Sequence, residues 1–272
     1  MLGGAIAEEF AYGYDVQPAD IESFDITDLE ATKESILSFS PGIVIHSAAY
    51  TDVDGCETNR DAASKVNSQG TRNVALAAKA ARAILVHIST DYIFDGQKIS
   101  PYQEEDLPQP VNLYGLTKLA AEEAVKSILE KFIIVRSCWL YGKGGKNFVD
   151  AILNKAKTEK KLKVINDQTG SPTYARDLAG AIKILTEVVL KKGRYGVYNI
   201  TNSQSCTWFE FAKAILEYKK IQGVEVTPIT SQEINRPALR PKNSILDNAK
   251  FIALTAHKLR PWPEALREYL AQ

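Results

Sequence analysis

Three short apolar runs constrain this chain more than any other feature: GIVIHSAA at 42–49, AILVHIST at 83–90 and FIIVRSCWL at 132–140. None alternates polar with apolar residues. Each therefore reads as a strand buried on both faces, the condition of a parallel sheet. Amphipathic helical patterns separate them, at 27–39 with Thr27 or Asp28 as cap, at 63–81 and at 117–131. Apolar strands alternating with such helices predict an α/β fold around a parallel sheet.

The flanks fill in the outline. Leu2, Ile6 and Phe10 recur at helical spacing, and Tyr14-Asp15-Val16 reads as a short strand ended by Pro18. After residue 140 the rhythm loosens. Helices are predicted at 147–157, 171–191 and 206–220, the last with Thr207 as cap, and strands at 161–167 and 196–200. A Pro- and Arg-rich tail with short helices follows. The change of rhythm predicts a cofactor half and a smaller substrate half, with the chain crossing between them. The cofactor half takes 1–140 plus about 172–200, and the substrate half about 141–171 plus 201–272.

Charge and cysteine content narrow the class. Lys plus Arg equals Asp plus Glu, 33 each, so no overall field favours nucleic acid or a membrane surface. No apolar stretch is long enough to span a bilayer, and the first residues lack a signal-peptide pattern. Three dispersed cysteines without CxxC or paired histidines argue against a disulfide framework or zinc. These features predict a soluble cytoplasmic protein.

The chemistry is concentrated in NLYGLTKLAAEE at 112–123. Tyr114 and Lys118 stand four apart and share a helix face. An ammonium beside a phenol favours the phenolate, so Lys118 is expected to lower the Tyr114 pKa. Such a tyrosine can exchange a proton with a carbonyl oxygen. Alone the pair is weak evidence. Upstream, HISTDYIFDG places the Ser89 and Thr90 hydroxyls at a strand's carboxyl end, the crevice side of an open α/β sheet. Capping of local backbone is the plain alternative for both. Ser47-Ala48-Ala49 ends the preceding strand with small residues, which suits a planar cofactor or tight helix packing.

Together these stretches resemble the dTDP-4-dehydrorhamnose reductase family of extended short-chain dehydrogenase/reductases. The resemblance runs through AAYTDVDGCE, VNSQGTRNVA, HISTDYIFDG, YGLTKLAAEE, VRSCWLYGKGGKNF, VINDQTGSPTYARDLA and RPALRPKNS, in that order. It implies a Rossmann-type doubly wound parallel sheet with a smaller C-terminal substrate domain. It also implies NADPH- or NADH-dependent reduction of the 4-keto group of a nucleotide-linked deoxysugar.

The resemblance assigns roles residue by residue. Tyr114 would be the general acid. Lys118 would tune it and hold the nicotinamide ribose. Thr90 would bind the developing oxyanion, assisted by Ser89. Tyr92 and Trp139 would line the sugar pocket, with core packing the alternative for Trp139. Gly3, Asp20, Asp25, Ile26, Ala48 and Ala49 would contact the cofactor. Asp20 would meet the adenosine ribose, or serve only as a solvated turn residue. Arg240 would grip the nucleotide diphosphate with its planar fork, joined by Asn147, Gln168, Arg236 and Asn243; surface ion pairs are the bland alternative for the arginines. The expected partner is a nucleotide sugar, with no nucleic acid and no membrane, and a homodimer is one possible assembly.

Two departures from the family pattern stand out. Family members that hold magnesium do so with glutamates, and Ala5 and Arg176 occupy the matching positions, so no metal is expected. The family's first strand and the first two glycines of its Gly-x-x-Gly-x-x-Gly turn have no counterpart, and Gly3 matches the third. The expectation is that Met1 is an internal methionine, with a truncated chain as the rival. Other readings of the fold are a sugar epimerase or dehydratase, and a non-catalytic NADP-binding regulatory subunit. Tyr92 stands where dehydratases place a glutamate, and intact Thr90, Tyr114 and Lys118 speak for catalysis.

Overall fold

The three apolar runs lie side by side. The computed structural model describes residues 1–272. Its first half runs α1 (Leu2–Phe10), α2 (Leu29–Phe39), β1 (Ile43–His46), α3 (Val53–Thr58), α4 (Arg60–Ser64), α5 (Thr71–Ala80), β2 (Ile84–Thr90), α6 (Leu113–Ile128) and β3 (Phe132–Ser137). The second half runs β4 (Leu140–Tyr141), α7 (Phe148–Thr158), β5 (Lys161–Ile165), β6 (Thr169–Gly170), β7 (Thr173–Tyr174), α8 (Ala175–Lys192), β8 (Gly196–Asn199), β9 (Cys206–Thr207), α9 (Trp208–Tyr218), β10 (Glu225–Ile229), α10 (Ala249–Thr255) and α11 (Trp262–Ala271).

The main sheet has the order β1-β2-β3-β8, and every pairing is parallel. Continuous apolar sequence becomes burial on both faces: Leu85, Val86, Ile133, Ile134 and Val135 are fully buried. Each such side chain contributes about 1.5–3 kcal/mol. Ile36 of α2, Val74 of α5 and Val125 of α6 cover one face. Leu2, Ile6 and Phe10 of α1, with Leu178, Ile182 and Leu185 of α8, cover the other. The sheet is thus doubly wound, as the alternation predicts.

A second core gathers Val149 of α7, Phe211 and Ile215 of α9, and Trp262 and Leu266 of α11 around Tyr141. A two-stranded parallel ribbon of β5 and β10 flanks it. The chain returns to the first core through α8 and β8. Phe251 of α10 and Leu259 pack in the sheet core, whereas the sequence places all of 201–272 in the substrate half. No helix is long and apolar enough to cross a membrane.

Local chemistry explains the element boundaries. Asp28, not Thr27, caps α2 by accepting from the Glu30 and Ala31 amides at 2.9 and 3.1 Å, a contact worth about 1 kcal/mol. Thr207 and Glu210 form a reciprocal capping box on α9. The helix predicted at 63–81 is interrupted by a π-helical turn at Lys65–Gly70. There Asn67 accepts from the Tyr50 amide at 2.7 Å and donates to Thr117 at 3.0 Å, tying the turn to α6. The strand predicted at Tyr14-Asp15-Val16 does not form. The segment has no neighbouring strand to ladder with, and Tyr14 and Val16 pack sideways on the sheet core instead.

Candidate active site

Two elements meet at the carboxyl end of β2. The strand runs out at Thr90 into a single 3-10 turn, Asp91–Ile93. Thr90 Oγ1 accepts from the Tyr92 amide at 3.2 Å and donates to Asp91 Oδ1 at 3.1 Å. Opposite, α6 begins four residues earlier than predicted because Asn112 caps it, accepting from the Gly115 amide at 2.8 Å. The first turn presses directly on the 3-10 turn. A Cβ on Gly115 would lie 2.0 Å from the Tyr92 carbonyl oxygen, so only glycine permits this approach. The Tyr114 ring consequently stands edge-on to Tyr92, centroids 5.5 Å apart, with its phenol beside the Thr90 hydroxyl.

The electrostatics differ from expectation. Burial and the nearby Asp91 carboxyl raise the Tyr114 pKa, and the Thr90 hydrogen bond only partly opposes them. Lys118 is engaged elsewhere: its Nζ donates to the Ile88 carbonyl at 2.7 Å and lies 3.3 Å from His87 Nε2. Burial pulls the lysine down to about 8. The expected lowering of the Tyr114 pKa by Lys118 is not seen: Lys118 is not among the groups that set it, and desolvation of the phenolate dominates. A phenol held neutral is the form a proton donor requires. Asp91 is buried, its Oδ2 has no partner, and burial pushes it up to about 6. The Tyr92 phenol is likewise pushed up to about 12 by burial.

Ser89 does not face this crevice. Alternation along β2 turns it to the opposite side, where its hydroxyl donates to Glu122 Oε1 at 2.6 Å. Glu122 also takes a two-pronged contact from Arg136, 2.9 and 2.7 Å, with both side chains buried. Burial pushes Glu122 up, but the Arg136 bonds and charge hold it below the usual carboxylate range. The placement of Ser89 against substrate is thus corrected: it braces a buried ion pair.

The rim is built by the second half. Trp139 adopts a left-handed backbone, φ 50°, and stacks on Trp208 with centroids 3.5 Å apart. Such strain in a non-glycine residue is sustained only where surrounding packing enforces it. Gly170 supplies the floor: a Cβ there would lie 2.4 Å from the Trp139 ring. Arg240 closes on Asp54 of α3 with 2.6 and 2.7 Å contacts and reaches Tyr92. Arg236 lies beside Arg240 and makes no ion pair. Gln168 is buried near this rim.

Two residues placed against substrate have their polar atoms committed to the fold. Asn147 caps α7, accepting from the Asp150 amide at 3.0 Å, and its Nδ2 donates to the Gly142 carbonyl at 3.0 Å and Asp150 Oδ2 at 2.8 Å. Asn243 Nδ2 donates to the Lys98 and Ser100 carbonyls at 2.7 and 3.1 Å, while its Oδ1 accepts from Ile245. Both organise loops, because an amide enclosed by chain reversals satisfies local backbone first.

On the cofactor side, Ala48 and Ala49 follow β1, and the preceding Ser47 is approached by Gly3 of α1, while a Cβ on Gly4 would meet nothing. No side chain caps the first turn of α1. Open first-turn amides beside small residues fit a pyrophosphate, and the third ammonium hydrogen of Lys118 fits a ribose hydroxyl. Ile26 packs on Gly70. Asp25 accepts from the Thr27 amide at 2.8 Å, and that bond lowers its pKa. Asp20 is exposed and accepts from the Glu22 amide at 3.0 Å, the turn role held open for it.

Asp54, Asp91, Trp208 and His87 were not singled out by sequence. The Thr-Asp pair inside HISTDYIFDG was the available signal for Asp91. Nothing local marked Asp54 or Trp208, since their partners lie 186 and 69 positions away.

A doubly wound parallel sheet with a Tyr-x-x-x-Lys helix at its carboxyl edge defines a nicotinamide-dependent oxidoreductase of the short-chain type. Residues 1–272 match the family model described as RmlD substrate binding domain. The chain is 38% identical over 260 residues to the spore coat polysaccharide biosynthesis protein SpsK of Bacillus subtilis, covering 96% of this chain and 89% of that protein. It is 37% identical over 246 residues to dTDP-4-dehydrorhamnose reductase of Streptomyces griseus, covering 90% and 81%. A Clostridium acetobutylicum dTDP-4-dehydrorhamnose reductase superposes with a TM-score of 0.93 at 41% identity, covering 99% of this chain and 95% of that one. The Bacillus anthracis enzyme in complex with NADP gives 0.93 at 39%, covering the same shares. The chain belongs to the dTDP-4-dehydrorhamnose reductase family.

Proposed function

We propose that this protein reduces the 4-keto group of dTDP-4-dehydro-L-rhamnose to give dTDP-L-rhamnose, using NADPH or NADH. The observation that carries the reading is the neutral Tyr114 phenol beside the Thr90 hydroxyl, with Lys118 buried behind them. When bound, the reduced nicotinamide supplies the hydride. Thr90, turning its one hydroxyl hydrogen from Asp91 to the sugar carbonyl, orients that carbonyl and donates to the oxygen as its charge grows. Tyr114 gives that oxygen its phenolic proton. Lys118 holds the ribose, and Gly3, Ala48 and Ala49 receive the dinucleotide backbone, with Asp25 and Ile26 at the adenine end. Trp139 and Tyr92 hold the sugar between aromatic faces. Arg240, Arg236 and Gln168 hold the diphosphate side. Residues 1–140 with about 172–200 serve the cofactor and the remainder serves the substrate.

The assay is loss of reduced-nicotinamide absorbance with dTDP-4-dehydrorhamnose as substrate. Turnover that disappears in Tyr114→Phe, with cofactor binding retained, supports the reading. Cofactor binding without turnover by the unaltered chain would instead mark a regulatory subunit. Under the same proposal the protein works in the cytoplasm, and sedimentation checks whether it forms a homodimer.

A further inference from the structure

Lys118 is gripped from behind by a histidine. Its buried Nζ donates to the Ile88 carbonyl at 2.7 Å and faces His87 Nε2 at 3.3 Å. An ammonium has three hydrogens and no lone pair. It can only donate to the imidazole, so Nε2 must carry the lone pair and the ring proton must sit on Nδ1. That Nδ1 is buried and has no partner in the protein.

The neighbouring ring fixes its own state by the same counting. His46 is the register partner of His87, with ring centroids 5.4 Å apart. The Thr71 hydroxyl spends its hydrogen on the Asn67 carbonyl at 2.6 Å, so Thr71 Oγ1 accepts from His46 Nε2 at 3.1 Å. Burial, and the charge of Lys118, keep both imidazoles neutral. A side chain present only to fill space has no need of a buried ring N–H without a protein partner, which costs free energy. The polar function of His87 is on its other nitrogen, against the lysine.

We propose that His87 is a positioning residue for Lys118: its Nε2 lone pair and the Ile88 carbonyl pin two ammonium hydrogens and aim the third at the cofactor ribose. The direction of that third hydrogen rests on the function proposed above; the pinning does not. The groups facing the ammonium are His87, His46 and the Ile88 carbonyl from the strands, and Glu122 one turn along α6. Glu122 favours the charged lysine through its carboxylate. His87 favours it by accepting a hydrogen bond. Without His87 the lysine should lose its proton at lower pH.

The test uses the full chain, with labelled histidine and lysine followed by NMR, the Lys118 signal being assigned by its absence in Lys118→Met. In the unaltered protein His87 should be protonated at Nδ1 and bare at Nε2 throughout neutral pH. His87→Leu should lower the Lys118 midpoint by at least about half a unit and weaken NADPH binding about tenfold. His87→Gln, whose amide oxygen can take the same hydrogen, should return the Lys118 midpoint to within about 0.2 unit and NADPH binding to within about threefold of the original. A protonated Nε2 in the unaltered protein, or an unmoved Lys118 midpoint in a folded His87→Leu, overturns the proposal. If His87→Leu fails to fold, the tautomer and His87→Gln still decide. Absence of NADPH binding by the unaltered chain would count against the proposed function, while the lysine titration would still judge the pinning.

Discussion

Arg240 and Asp54, 186 positions apart, form a two-pronged ion pair that ties the loop after β10 to the start of α3. Asp54 Oδ1 also accepts from the Ala238 amide at 3.1 Å, so one carboxylate holds the loop at two points. The Arg240 bonds hold Asp54 below the usual carboxylate range. Asp54→Ala should raise KM for the nucleotide sugar about tenfold, ~1.4 kcal/mol, because the guanidinium loses its orientation. The kcat should stay within about twofold, since the pair touches no reacting atom. Steady-state kinetics separates the two parameters.

Lys118 trades stability for function. Its pKa is about 8 against an ordinary 10.5, so folding releases its proton between those values. There the unfolded chain binds more protons, and stability rises as pH increases from 8 towards 10.5. Lys118→Met removes a buried charge whose unfavourable share is about 3 kcal/mol. The variant should melt at or above the temperature of the parent at pH 7 while turnover falls at least a hundredfold, about 2.7 kcal/mol in the barrier. Calorimetry and the reductase assay check the pair of outcomes together.

Asp91 makes the opposite pH signature. Its pKa is raised from 3.8 to about 6, so the folded state binds its proton more tightly. The resulting stability is full below pH 3.8 and is lost as pH rises through 6. Asp91→Asn keeps an acceptor for Thr90 and removes the charge. At pH 7 it should gain up to about 3 kcal/mol over the parent, and the gain should vanish near pH 4. Denaturant titrations at the two pH values decide the matter; an equal gain at both would show that the carboxyl is not the cause.

Gly170 fixes the Trp139 ring. The missing Cβ leaves the indole 2.4 Å from where one would stand. Gly170→Ala must move the ring or the backbone, an overpacking cost of about 1–3 kcal/mol. The expected result is a KM for the sugar nucleotide raised about tenfold, with cofactor affinity unchanged. Tryptophan fluorescence should change in parallel, because Trp139 stacks on Trp208.

Much of this was legible in sequence for a physical reason. Helix capping by Asp28 and Thr207, the buried strands around Ile134, and the Tyr114–Lys118 spacing are all local, and local chemistry is written in neighbouring residues. Tyr14-Asp15-Val16 carried a strand's composition, yet a strand exists only through its partner, and it has none. Ser89 and Thr90 are adjacent in sequence and face opposite sides of the sheet; only the packed structure shows that Glu122 takes the first.

The sequence by itself determined the layered parallel sheet, because continuous apolar runs have no other way to leave water. It also put Tyr114 and Lys118 on one helix face, since the helix period is local. The tertiary structure decided the electrical state of those groups. Burial raises Tyr114, lowers Lys118 to about 8 and lifts Asp91 to about 6. Desolvation depends on every neighbour packed around a group, and those neighbours come from the whole length of the chain.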